Sequence, residues 1–295
     1  MSLIAYLRRI SIPESSNDNF DSYLNFEQAK EYEMLLHTIT LNIYLCQFDT
    51  TTRWIKSEDD KFRVSDWPPD EWIDFRSRVK KEGEEFWNNK FWLEPVTDAL
   101  DQNFTGLNFT IRQNIQCCLH INFVDAAEKA NITIVAVYIP QPAYGERYDA
   151  GSHRTHHKLY DSHDVNLRTM TTTDDTGNTI TTTQHTFAHE IGHAIGLAHV
   201  GILRGDKPCL DLGDDGSNES ICYGSTRPAK FINDIMGAGS EVNYRHARPW
   251  LYAIAKHTGL VEDNFNFRVH KNKIPNFKKI NKADLNKRNQ QYRLL

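Results

Sequence analysis

The stretch that most constrains this chain runs from Thr181 to His199, TTTQHTFAHEIGHAIGLAH, where His189, Glu190, His193, Gly196 and His199 spell H-E-x-x-H-x-x-G-x-x-H. Phe187, Ala188, Ile191, Ala194 and Ile195 recur at helical spacing, and Thr181 with Gln184 has the pattern of a capping box. The spacing therefore predicts a helix from Thr181 to Gly196 with one apolar face. Side chains four apart share a helix face, so His189 and His193 can offer two imidazole nitrogens to one ion. Glu190 stands about 100° round from His189, close to a water on that ion without being a ligand. A helix continued through His199 would carry that residue roughly 9 Å past His193 along the axis, out of reach. The chain must turn, and Gly196 permits it, because glycine adopts the left-handed conformation that ends a helix at little cost. His199 then completes a three-histidine set.

Three neutral imidazoles with one open position describe a catalytic zinc, whereas structural zinc sites are closed by four ligands rich in cysteine. The expectation is one Zn2+ with water in the fourth position, its pKa lowered to about 7. Glu190 is the general base that takes the water's proton and later delivers it to a leaving amine. Five fixed positions match by chance on the order of once in 10,000 chains of this length, which weighs against an amphipathic helix with incidental histidines.

The motif resembles that of the metzincins, a zinc-peptidase clan with a methionine turn downstream of the three histidines. The resemblance implies that Asp234-Ile235-Met236-Gly237 is that turn, with Met236 a floor beneath the ligands rather than a ligand. The other reading of Met236 is a plain core methionine before a glycine turn. Some metzincin families carry a tyrosine two residues after the methionine; here that position is Ala238, and Tyr244 is the nearest substitute. By resemblance Tyr244 lies in the wall of the pocket for the residue after the cut bond, and its other reading is an ordinary half-buried tyrosine. The implied fold class is α+β: a mixed twisted sheet with a backing helix and the active-site helix in an upper lobe, and a smaller, mostly irregular lower lobe ending in a helix. The implied activity is an endopeptidase whose extended protein or peptide substrate pairs with an exposed sheet edge. The matching motifs lie between Thr181 and Tyr244 and single out no particular metzincin family.

Read in order, residues 1–36 form an N-terminal extension, a polar lead and then a helix carrying Phe26, Ala29, Met34 and Leu35, and are a candidate pro-segment without a cysteine-switch motif. Residues 37–259 form the catalytic domain, with strands expected at Thr38–Phe48, Gln116–Val124, Ile132–Ile139, Val165–Met170 and Thr179–Thr183, and helices at Pro69–Asn88 and Pro249–Thr258. The 260–295 tail is basic and reads as loosely ordered, so no nucleic-acid partner is expected. The loop Ser152–Asp164 holds His153, His156, His157 and His163 with Asp161 and Asp164, but its spacing fits a solvated polar loop better than a second metal. Asp211–Glu219 resembles a calcium loop yet has Cys222 where the closing glutamate belongs. Glu219 or Glu241 as third ligand is the thermolysin-like alternative, which His199 makes unnecessary. His246 and His257 read as surface or helix-end histidines.

Of the cysteines, only Cys209 and Cys222 are plausible partners, and a reduced pair is the alternative; Cys46, Cys117 and Cys118 read as thiols. Asn103, Asn108, Asn131 and Asn218 sit in glycosylation sequons, with Asn131 opening an apolar strand. No apolar run is long enough to span a bilayer, and the N-terminal apolar stretch, ended by Arg8 and Arg9, is too short for a secretory signal. The expectation is a monomer that is cytoplasmic or exported by a non-classical, injection-type route as a toxin-like effector, with an inhibitor or delivery partner. Two rivals remain: a catalytically weak zinc-binding interaction module, against which Glu190 argues, and a zinc amidohydrolase of a non-protein substrate such as a cell-wall peptide.

Overall fold

The computed structural model describes residues 6–11, 19–28, 33–49, 64–95, 115–140, 159–173, 177–203, 232–258 and 267–271. The architecture is mixed α+β and is laid out around one long strand, Glu33–Gln47 (β3), whose alternation sends Ile39, Leu41, Ile43 and Leu45 into the core. Tyr6–Ser11 (β1) and Asn19–Gln28 (β2) add antiparallel along one side of its first half, and Ile115–Phe123 (β5) adds parallel along the other. The far end of β3 pairs in parallel with Ile132–Val137 (β6), which carries Leu159–Asp161 (β7). Phe91–Pro95 (β4) lies antiparallel between β5 and Phe267–Lys271 (β10). A separate antiparallel ribbon, Leu167–Thr173 (β8) and Thr179–His185 (β9), leads into the site.

Helix Pro69–Trp87 (α1) connects β3 to this sheet again, with Pro in its first turn and Asp70 and Glu71 complementing its positive end. Its buried residues Phe75, Val79, Gly83 and Trp87 fall four apart, a single stripe facing inward. Gly83 is the point of closest approach: a Cβ there would come within 2.5 Å of Ile121 Cδ1 and 3.2 Å of the Phe187 ring. The bare position lets α1 lie against both β5 and helix Thr186–Ala194 (α2), and the Trp87 indole N–H donates to Ala188 O at 3.0 Å. After the short turn of helix Val200–Leu203 (α3), Arg248–Thr258 (α4) closes the core; Trp250 donates to Cys118 O at 2.9 Å and packs on Trp87 and Phe91. Among the described residues no helix is long and apolar enough to cross a membrane.

Several expectations are corrected. Phe26, Met34 and Leu35 are not on a helix: Phe26 pairs across strands with Leu35 and Glu27 with Met34. Over so few residues the periods 2 and 3.6 select overlapping apolar sets, and strand pairing decides between them. The sheet includes residues on either side of residue 36, in β3, and residues 267–271 of the basic tail, in β10. His246 and His257 do lie in the last turns of their helices, but both are buried rather than at the surface. Asp161 and Asp164 are buried as well, in a turn closed by the Asp161 N–H to Asp164 Oδ2 at 2.9 Å and the Asp164 N–H to Asp161 O at 3.1 Å. His163 joins that turn, donating from its ring to Ile139 O at 3.0 Å, so this part of the loop is an anchor for the end of β7 rather than a solvated segment. His153, His156, His157, Cys209, Cys222, the 211–219 loop, Asn103, Asn108 and Asn218 lie outside the described residues. Asn131 is buried, its amide bridging Asn42 N and Asn19 Oδ1 at 2.7 Å each, and Cys46, Cys117 and Cys118 form no disulfide.

Candidate metal centre

The helix carrying the motif starts later than its spacing suggests. Residues 179–185 are strand β9, and α2 begins at Thr186, so Thr181 and Gln184 form no capping box. Thr181 is exposed, while Gln184 is buried on the opposite face of β9 with Thr182. Phe187, Ala188, Ile191, Ala194 and Ile195 are all buried, and this apolar face sets the rotation of α2. The helix stops at Ala194; Gly196 sits at φ 95°, in the left-handed region, with its N–H on His193 O at 2.9 Å. The turn brings His199 back over the helix.

The three rings converge through one nitrogen each. His193 Nε2 lies 3.1 Å from His189 Nε2 and 3.2 Å from His199 Nε2. His189 and His199 are buried and His193 half-buried. For His189 and His193 the proton position follows from the far side of the ring. His189 Nδ1 faces Ile235 O at 2.6 Å and His193 Nδ1 faces Leu197 O at 2.7 Å. A carbonyl oxygen only accepts, so each Nδ1 carries the proton and each Nε2 presents a lone pair. Two lone pairs at 3.1 Å repel, and a further proton would place a cation among buried imidazoles. Were His199 to turn an Nε2–H toward His193, the His189–His193 pair would still meet lone pair to lone pair. Burial, and then His193 and His189 beside it, hold the His199 pKa well below the usual imidazole value, which keeps the third ring neutral. This donor set fits a metal ion: the three residues can hold one, with Nδ1–H bonds to backbone carbonyls fixing the tautomer and aim of two ligands.

The floor of the site is the 234–238 turn. Four successive carbonyls there accept hydrogen bonds from segments that carry or lead to ligands. Ile235 O takes the His189 Nδ1–H at 2.6 Å, Met236 O the Val200 N–H at 2.9 Å, Gly237 O the Gln184 amide at 2.7 Å, and Ala238 O the Thr182 hydroxyl at 2.7 Å. Met236 itself is fully buried under α2, where a Cβ on Gly192 would stand 2.5 Å from its Sδ. Gly192 thus has a packing reason to sit inside a helix, where glycine costs up to about 1 kcal/mol relative to alanine.

Glu190, next along α2 from His189, is half-buried and stands outside the ligand set. Tyr244 is not brought into the cluster: it opens the 3-10 turn Tyr244–Ala247 and is 61% exposed. The Glu241 side chain is exposed, and only its backbone serves the site, bonding Asn233 and Ile235. Sequence reasoning missed Thr182, Gln184 and Gly192; a helix-interior glycine and two polar residues on one strand face just before the motif were the available signals. No protein-family model, no curated protein and no solved structure matches the chain.

Proposed function

We propose that the protein is a zinc-dependent endopeptidase of the metzincin type that hydrolyses peptide bonds in extended protein segments. The observation that carries this reading is the convergence of three imidazole Nε2 atoms, His193 lying 3.1 Å from His189 and 3.2 Å from His199, with the Nδ1 atoms of His189 and His193 set against backbone carbonyls. Tetrahedral zinc–nitrogen bonds of about 2.05 Å require ligand nitrogens about 3.3 Å apart, slightly wider than the separations here. An all-imidazole set that leaves one coordination position for solvent also favours a catalytic over a structural zinc.

A zinc ion held by His189, His193 and His199 would supply Lewis acidity, acidifying an attacking water and polarising a peptide carbonyl. Glu190 takes a proton from the attacking water on its carboxylate and returns it to the amide nitrogen as the C–N bond breaks, so the carboxylate ends as it began. Ile235 O and Leu197 O keep His189 and His193 aimed while this happens. The test is hydrolysis of a denatured protein by zinc-loaded wild type, Glu190→Gln and His199→Ala. Wild type should cut; Glu190→Gln should keep zinc and lose about 10²–10⁴-fold in turnover. His199→Ala should lose zinc and turnover together. A Glu190→Gln protein with wild-type turnover would end the mechanism.

A further inference from the structure

On the side away from the histidines, the 234–238 turn is held by a buried carboxylate. Asp234 Oδ1 accepts the Met236 N–H at 2.8 Å and faces His246 Nε2 at 3.0 Å, and Oδ2 accepts the Asn243 amide. The His246 tautomer follows from its other nitrogen, where the Asn243 backbone N–H donates to Nδ1 at 3.0 Å. Nδ1 is therefore bare, and the ring proton is on Nε2, pointing at the carboxylate. Asn243 Oδ1 accepts the Arg245 N–H at 2.8 Å, so one asparagine caps the 3-10 turn and ties it to Asp234. His246 is fully buried, and the Trp87 indole stands edge-on to it, 6.1 Å between centroids. Water is kept from the contact, where a charge-assisted hydrogen bond is strongest.

None of these three residues reaches the metal trio. Their effect is on the peptide that follows Asp234, whose carbonyl, Ile235 O, orients His189, and on the next one, Met236 O, which holds the residue after His199. We propose that Asp234, Asn243 and His246 form a positioning clamp for the metal site. By fixing the turn they hold Ile235 O against His189 Nδ1 and so keep His189 Nε2 aimed at the ion. The proposal rests on reading the trio as a metal site, and it makes His246 a positioning residue, neither ligand nor catalyst. A histidine of merely structural value would stabilise the zinc-free and zinc-loaded protein equally; a positioning histidine changes the difference between them.

The experiment measures zinc affinity by competition with a chromogenic chelator. His246→Phe and Asp234→Asn should each weaken zinc binding about 10–100-fold, the usual effect of losing an outer partner of a ligand. His246→Gln, which restores a donor toward Asp234, should recover part of that loss. The His246→Phe, Asp234→Asn double variant should lose little more than the worse single one, because the two act as a unit. His257→Phe, at a buried histidine outside the clamp, should lower Tm and keep wild-type zinc affinity. If a variant is unfolded without zinc, the midpoint of its zinc-driven refolding reads the same affinity. Wild-type affinity in His246→Phe, or an equal loss in His257→Phe, overturns the clamp. Wild type that binds zinc tightly but cuts no peptide overturns the endopeptidase reading and leaves the clamp standing; wild type that binds no zinc overturns both.

Discussion

Among the described residues two clusters bring histidines together, and one of them, His189, His193 and His199, has the arrangement that could hold an ion. At the second, between β2, β3 and α4, Ser22 Oγ lies 2.8 Å from His37 Nε2 and 2.9 Å from His257 Nε2, and the rings meet edge-on at 5.7 Å. A hydroxyl has one proton to give and lone pairs to accept with, so it can donate to one ring and receive from the other. Every nitrogen that faces Ser22 thus meets a partner of opposite role. In the 189–193–199 cluster the corresponding nitrogens face one another directly, and their protons are committed to backbone carbonyls on the far side. A serine stands between the rings of one cluster, and the rings of the other could hold a metal ion. Counting histidines does not separate a metal site from a polar knot in the core; counting the protons between them does.

The sharpest break of this comparison is His193→Ala against His257→Ala. Elemental analysis should find one zinc per chain in wild type and in His257→Ala, and close to none in His193→Ala. Next in size is Ser22→Ala, which strips the partner from two buried ring nitrogens and should cost about 1–3 kcal/mol by urea unfolding while leaving zinc content at one per chain. Zinc lost from Ser22→Ala would mean that the two clusters are coupled. Gly192→Ala tests the floor of the metal site: a methyl 2.5 Å from Met236 Sδ forces the thioether to move, for an expected cost of about 1–3 kcal/mol and weaker zinc binding. Unchanged stability there would show that Met236 yields without consequence.

The smallest effect concerns pH and belongs to the knot. Burial first, and the neighbouring His257 second, hold the His37 pKa well below the usual imidazole value. Its unfolded value is about 6.5, so below that pH the unfolded chain takes up a proton that the folded one does not. The stability contributed is complete above about pH 6.5 and falls as pH drops, by up to about 1.4 kcal/mol per unit, until the folded pKa is reached. Tm should decline between pH 7 and pH 5, and a His37→Gln variant should decline less steeply. An identical slope in both proteins would assign the acid lability elsewhere.

The histidine trio was legible because its information is local: two histidines a helical turn apart, a glycine where the helix must end, and a third histidine beyond it. What lay outside the sequence's reach is what holds the trio in place. Gln184 had the spacing of a helix cap, and only the fold reveals that its amide reaches Gly237 O, far along the chain. His246 carries no signal of burial in its neighbours, and its role depends on Asp234 being folded against it. At the N-terminus the reverse holds: β2 pairs along the edge of β3 and β1 along the edge of β2, a long-range fact that the periodicity of Phe26 to Leu35 cannot encode. The mixed α+β class and α1 were readable for the same reason as the trio, a period sustained over many residues, and in α1 it delivered the buried stripe of Phe75, Val79 and Trp87.

X-ray absorption at the zinc edge of the purified, zinc-loaded protein tests the convergence of the three rings most directly. The expected spectrum has three imidazole nitrogens at about 2.0–2.1 Å and one further light-atom ligand. A spectrum with sulfur in the first shell, or with fewer than three imidazoles in the wild type, would contradict a single ion held by His189, His193 and His199.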